Sequence, residues 1–349
     1  MAAAWWYRSR SRAPLAALLY FVVSLAPALG FVSVYPFRFS FVADHFVYLP
    51  SLGVIALAAA AVASWSRGSA YARSAPARLV AIAILVIPLA ALTWRHSRQF
   101  ADAETLYRTT LERNPDSWLA RNNLAALLLN GPIDDVREAA EHLRVSLRLR
   151  HDNPVGHYNL GLALQRLGRH GEAIASFETA LRQSGDSGTT GGTPDGNPIR
   201  LGQIHRYLGK SLIATGRRED GIDALTRAIA LNPTATTSYV ELGIALVQSG
   251  ALRDALAQFQ RARQLEPGNA DHYTNIGGVL LQLRRYEEAA AQLQEAVRLA
   301  PRHLDASFNL GLAYEGQGRT DLAVAAYRYV LQIDPEHRQA RVNLGRIAK

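Results

Sequence analysis

The chain has no cysteine, one methionine and, among 38 basic residues, only two lysines, Lys210 and Lys349. The first absence excludes disulfides, thiolate nucleophiles and cysteine-ligated zinc, and leaves the compartment open. Acid is scarce in one place: before residue 101 the sole carboxylate is Asp44, against nine arginines, a net of +8. The whole chain carries +9, so residues 101–349 carry 9 − 8 = +1. A pI near 10 invites a nucleic-acid reading, which the near-neutral remainder excludes. Catalytic constellations are equally sparse. There is no HExxH, and His151 and His157 lack helical ligand spacing. His142, His170 and His303 read as solvated helix or turn residues. Gly185-Asp186-Ser187-Gly188 resembles the nucleophile segment of trypsin-like proteases, but a polar loop without a strand framework cannot hold a triad. No catalytic residue, metal site or cofactor is read from the chain.

What the sequence has in abundance is a period. Pro233, Pro267, Pro301 and Pro335 stand 34 residues apart, as do Leu242, Ile276, Leu310 and Leu344, each followed by a glycine at 243, 277, 311 and 345. Ala255, Ala289 and Ala323 keep the same step. This pattern resembles the tetratricopeptide repeat, in which each 34-residue unit is a helix, a tight turn and a second helix. In the unit around 236–269 the first helix is TSYVELGIALVQ and the second LRDALAQFQRARQL. Gly250 follows the first helix, where a left-handed residue is cheapest as glycine. Gly243 and Ala255 let the pair approach, Phe259, Leu293 and Tyr327 are the large knobs, and Pro267 stops the second helix. A single unit cannot bury its apolar face, so units must stack.

Upstream, Leu208-Gly209 with Gly216, Gly221 and Leu225 marks one further unit. Leu160-Gly161 with Gly168, Ala173, Phe177 and Ala180 marks another, and Leu124-Ala125 with Ala139 and Leu143 a third, carrying two extra residues around Gly131-Pro132. Residues 184–198 are too polar and Gly-rich to pack and are expected to form a flexible loop. Counting back from Pro115 puts Ala103, Tyr107 and Thr110 on a second helix whose partner would be 84–98. The last period ends after half a helix pair, as a cap or a truncation.

Residues 1–96 differ in composition. Apolar runs at about 13–34, 46–65 and 78–94 are expected to be three membrane spans. Arginines flank the first span on its N-terminal side and fill the 66–78 loop, while the 35–50 loop holds only Arg38 and Asp44. Cytoplasmic loops gather arginine, so the N-terminus is expected inside and the repeats outside, periplasmic or lumenal. Cleavage after the first run, as a signal peptide, is the alternative and leaves the repeats outside as well. The fold expected is all-α: N-terminal transmembrane helices, then a tetratricopeptide α-solenoid wound as a right-handed superhelix, in units at 97–183 and 199–349.

The segment FSFVADHFVYLPSLG, residues 39–53, has two readings. Phe46 and Tyr48 suit interfacial anchors, and Pro50 the first turn of a span. Alternatively, Asp44 followed by Tyr48-Leu49-Pro50-Ser51, then a span and repeats, resembles the C-terminal part of the transmembrane-and-tetratricopeptide protein O-mannosyltransferases and their bacterial relatives. His45 stands where that family usually has arginine. The resemblance implies a membrane-loop motif of Asp44, His45, Tyr48, Pro50 and Ser51, a polyprenyl-phosphate sugar donor, and a catalytic acid in a loop upstream of this chain.

Five units place asparagine before the leucine or isoleucine of their first helix, helix A: Asn123, Asn159, Asn275, Asn309 and Asn343. This is similar to the superhelix of the intracellular O-GlcNAc transferase, where such asparagines grip the backbone of an extended peptide. A primary amide both donates to a peptide carbonyl and accepts from its N–H. The alternative is an amide that merely caps or solvates the groove. The series is interrupted by Tyr207 and Glu241, so peptide binding is expected in two patches. The leading expectation is a membrane-anchored, extracytoplasmic scaffold for extended peptides or partner proteins. The alternatives are the C-terminal part of a mannosyltransferase-like enzyme presenting Ser/Thr-bearing polypeptide, or an assembly factor of a cell-envelope machine.

Overall fold

The computed structural model describes residues 102–186 and 198–347, with residues 83 and 87 upstream. The expected spans, the 39–53 motif and residues 84–98 (Ile87 apart) lie outside the described residues. Among those described, no helix is long and apolar enough to cross a membrane, and every regular element is helical. The fourteen helices delimited among the described residues fall in one compact unit, Asp102–Lys349. They are α1 (Ala103–Arg113), α2 (Trp118–Leu128), α3 (Ile133–Leu149), α4 (Pro154–Arg166), α5 (His170–Asp186), α6 (Pro198–Ala214), α7 (Arg218–Leu231), α8 (Thr236–Gln248), α9 (Leu252–Leu265), α10 (Ala270–Gln282), α11 (Tyr286–Leu299), α12 (Leu304–Gly316), α13 (Thr320–Ile333) and α14 (Arg338–Ile347). Even-numbered helices are the A helices of successive units and odd-numbered ones the B helices.

Most A–B pairs close because one side offers no side chain, while the α2–α3 pair has the small Ala125 there. A Cβ built on Gly161 would lie 2.5 Å from the Phe177 ring. On Gly243 it would lie 2.6 Å from Phe259, on Gly277 2.5 Å from Leu293, and on Gly311 2.5 Å from Tyr327. The knobs are correspondingly buried, Phe177, Leu293 and Tyr327 completely. Small residues on the B helices (Ala173, Ala255, Ala289, Ala323) are buried beside them, and the units bury their apolar residues in two large clusters and one small one between Leu124 and Ala340.

Five of the six A–B turns among the described residues use a left-handed residue; the longer α2–α3 turn does not. Gly168, Gly216, Gly250 and Gly318 provide it at φ between 72° and 84°. The fifth equivalent is Arg284 at φ 57°, a conformation that costs an L-residue roughly 1–2 kcal/mol. The turns between units are tied differently. The carbonyls of Pro115, Pro233, Pro267 and Pro335 accept from Arg121, Tyr239, Tyr273 and Arg341, each six residues on. Thus the proline stops a helix and its carbonyl anchors the next. Helix starts are capped by Ser117, Asn153, Asn269 and His303, satisfying first-turn N–H groups that a helix leaves open.

The polar segment expected at 184–198 is partly helical. α5 continues to Asp186 and α6 begins at Pro198. Gln183 Nε2 donates to the His151 carbonyl at 2.9 Å, and the Ser184 side chain is buried, which holds the last turn of α5 against its neighbour. Residues 187–197 lie outside the described residues.

Candidate binding groove

The curvature of the stack determines which face can receive a ligand. A-helices touch the next A-helix at α2–α4, α4–α6, α6–α8 and α10–α12, while no pair of B-helices makes comparable contact among the described residues. Helices that approach most closely lie on the inside of a curve, so the A-helices line the concave face, the extended binding surface typical of solenoids. α8 and α10 make weaker contact than those pairs, and a cleft of about 250 Å³ opens there.

The asparagines lie on this series of A-helices. Asn123, Asn275, Asn309 and Asn343 are partly exposed and Asn159 is nearly buried. The side chains of Asn123, Asn159, Asn275 and Asn309 make no hydrogen bond among the described residues. Asn343 differs: its Nδ2 donates to the Tyr327 hydroxyl at 3.4 Å. That hydroxyl donates to Glu315 Oε2 at 3.1 Å, and Glu315 also pairs with Arg346. Burial and the neighbouring carboxylate raise the Tyr327 phenol far above its ordinary value, so it stays protonated.

The interruption of the series is built from charge and aromatic rings. Arg206 Nη1 lies 2.8 Å and Lys210 Nζ 3.2 Å from Glu241 Oε1. The Arg206 guanidinium sits 4.2 Å over the Tyr207 ring. Tyr207 in turn packs with Tyr158 and Phe177 at centroid separations of 6.1 and 6.3 Å. A cation on an aromatic face contributes about 0.5–1 kcal/mol at an exposed site and more when desolvated. Glu241 therefore joins α6 to α8 across the groove floor, where the units other than those of Tyr207 and Glu241 offer an amide.

The adjoining cleft combines Thr236, Thr237, Val240 and Glu241 of α8 with Glu266 and Asn269 of the turn and Asp271, His272 and Asn275 of α10. His272 is 4 % exposed, and its Nε2 lies 3.2 Å from Glu266 Oε2. The Thr236 hydroxyl first, then the His272 ring, hold the Glu266 carboxyl below its ordinary value. Asp271 Oδ1 receives His303 Nε2 at 2.9 Å. Sequence reasoning singled out Glu241 and Asn275 but missed the rest, because Glu266 and Asn269 come from the inter-unit turn and meet α8 only through stacking.

Of three histidines expected to be solvated, two are held instead. His142 bonds with Glu138 and Arg121 and is 18 % exposed in its side chain. His303 caps α12 while reaching Asp271, and His170 is half-buried. The faces carrying His142 and His303 look polar in sequence but turn toward the neighbouring helix or unit. Among the described residues no group of histidine and carboxylate is arranged to hold a metal.

Tetratricopeptide repeat models match residues 94–154, 208–270 and 274–338, and a second tetratricopeptide repeat model matches 154–187. The matches begin after the membrane-loop motif of residues 44–51. No curated protein matches the chain. Among solved structures, YrrB, a TPR protein with an unusual peptide-binding site, is 24% identical with a TM-score of 0.46, over 57% of this chain and 95% of its own. Cut9–Hcn1 of the APC/C hetero-tetramer is 19% identical with a TM-score of 0.50, over 70% of this chain and 45% of its own, a likeness of fold alone. MamA from Desulfovibrio magneticus RS-1 is 19% identical with a TM-score of 0.44, over 58% of this chain and 98% of its own. With the repeat models covering more than half of its length and the helix pairs stacked as described, the chain belongs to the tetratricopeptide repeat family.

Proposed function

We propose that this protein is a membrane-anchored, extracytoplasmic scaffold whose concave groove binds extended peptides or partner proteins. One observation carries the binding part: Asn123, Asn159, Asn275 and Asn309 recur at one phase on the A-helices, and none uses its side-chain amide among the described residues. A row of free amides can pair with successive peptide groups of an extended chain whatever its side chains. Glu241, engaged with Arg206 and Lys210, interrupts the row, so one patch centres on Asn123 and Asn159 and another on Asn275 and Asn309. The anchoring part rests on the three apolar runs and the arginine asymmetry of residues 1–100.

The binding test uses the full chain, fluorescent extended peptides and anisotropy. Replacing Asn275 and Asn309 together with alanine removes two backbone clamps. At about 1 kcal/mol for each hydrogen bond, affinity is expected to fall on the order of tenfold or more. Unchanged affinity sinks the reading. Localisation is tested with Gln248→Cys, since the chain has no other thiol. Labelling by an impermeant maleimide in intact cells supports an outside array, and labelling only after lysis overturns it.

A further inference from the structure

The cleft between α8 and α10 has an acceptor problem that a ligand would solve. His272 Nε2 faces a carboxylate oxygen, Glu266 Oε2, at 3.2 Å, and only a ring nitrogen bearing hydrogen can bond it. In the neutral ring Nδ1 is then a bare acceptor. It is buried without a partner, on a side chain 4 % exposed that lines the cleft. Glu241 Oε2 is also buried without a partner. The two nearby cations, Arg206 and Lys210, both address the other oxygen, Oε1. Glu266 and Asp271 add two more carboxylates, whose partners here are neutral or histidine side chains. The cleft thus offers acceptors on both walls; the Thr236 hydroxyl and Asn269 amide donate to Glu266, which leaves His272 Nδ1 and Glu241 Oε2 unmet, and buried acceptors left unpaired cost roughly 1–3 kcal/mol each.

We infer that this cleft receives a cationic side chain, arginine or lysine, of the peptide lying in the groove. A guanidinium has five N–H donors and an ammonium three, and neither has an acceptor, which matches a cleft lined by acceptors. The volume of about 250 Å³ accommodates either head group. Asn275, which also lines the cleft, holds the backbone at the same place, so the cleft gives the second patch a preference that a row of amides lacks. This inference rests on the groove reading for its peptide and on the cleft alone for its charge preference.

The test pairs otherwise identical Gly/Ser/Ala peptides carrying one arginine, lysine, glutamate or citrulline, the last being the neutral isostere of arginine. On the full chain the cationic peptides are expected to bind about tenfold tighter than the citrulline peptide, and the glutamate peptide weakest. The arginine-to-lysine ratio reports whether the fork or the point charge is read. Glu241→Gln and Glu266→Gln, made separately because the first also releases Arg206, are expected to reduce the preference to about twofold or less. Asn275→Ala with Asn309→Ala is expected to weaken every peptide alike and keep the preference. Equal binding of arginine and citrulline peptides overturns the cleft and spares the groove. A preference that survives both glutamine variants overturns it too. If no peptide binds, the groove reading falls, and a second measurement decides the cleft: Nα-acetyl-arginine methylamide is expected to shift the His272 ring resonances of histidine-labelled protein while the citrulline analogue does not. Absence of that shift overturns the inference.

Discussion

Gly277 and Gly278 are neighbours on α10, and alanine is expected to act in opposite directions at the two. Both substitutions gain helix propensity, about 0.8–1.0 kcal/mol over glycine in a helix interior. At Gly278 nothing lies within 4 Å of the new methyl, so the gain is kept and Gly278→Ala stabilises by about that amount. At Gly277 the methyl would lie 2.5 Å from Leu293 Cγ and 2.7 Å from Cδ2. Leu293 is completely buried and cannot swing away. Overpacking costs roughly 1–3 kcal/mol, so Gly277→Ala is expected to be destabilising by about 0–2 kcal/mol. The difference between the two variants cancels the propensity gain and isolates the overpacking. Urea unfolding of the full chain, followed by far-UV circular dichroism, measures it. Hydrogen exchange along α10 and α11 localises it, because solenoid units open locally. Adding Leu293→Ala removes the obstructing atoms, so Gly277→Ala in that background is expected to regain most of the difference. If the two alanine variants are equally stable, the close A–B approach is wrong.

Arg284→Gly relieves the one left-handed non-glycine residue among the described positions and is expected to raise stability by about 1 kcal/mol, read as a higher urea midpoint. Tyr327→Phe keeps the knob but loses its bonds to Glu315 and Asn343, and is expected to cost about 1 kcal/mol, against about 3–5 kcal/mol for Tyr327→Ala in the same assay. Stability should fall on acidification in two stages. Burial lowers the pKa of His142, His157 and His205. Their contribution is present above the ordinary histidine value, about 6.5, and is lost as pH falls below it toward the depressed folded values, because the unfolded chain binds the proton first. Glu138 and Glu266, held low by their partners, lose theirs only below about 4.3. Urea midpoints across pH check both stages, and His205→Gln should flatten the first.

Much of the array was legible because its determinants are local and repeated. Gly250, Gly243 and Pro267 each act within one helix pair, and the boundaries of α8 and α9 follow from them almost to the residue. The asparagine series was visible for the same reason. Less visible was the purpose of the proline carbonyls, which Arg121, Tyr239, Tyr273 and Arg341 take up. Proline's effect on its own backbone is read from sequence, whereas a donor six residues on depends on the turn already being formed. His142 and His303 were misread because periodicity places a residue on a helix face without saying what stands opposite.

The sequence by itself determined the helix pairs, their turns and their need to stack, since a 34-residue unit carries its own start, stop and small-residue contacts. Tertiary structure decided which asparagines keep a free amide, tying Asn343 to Tyr327 and leaving Asn275 and Asn309 without a side-chain hydrogen bond among the described residues. It also decided that Glu241 bridges to Arg206 and Lys210, and that residues from two units and the turn between them enclose an acceptor-lined cleft. The physical reason is that the period fixes phase along each helix, while the spacing and curvature of the stack fix what faces what across units.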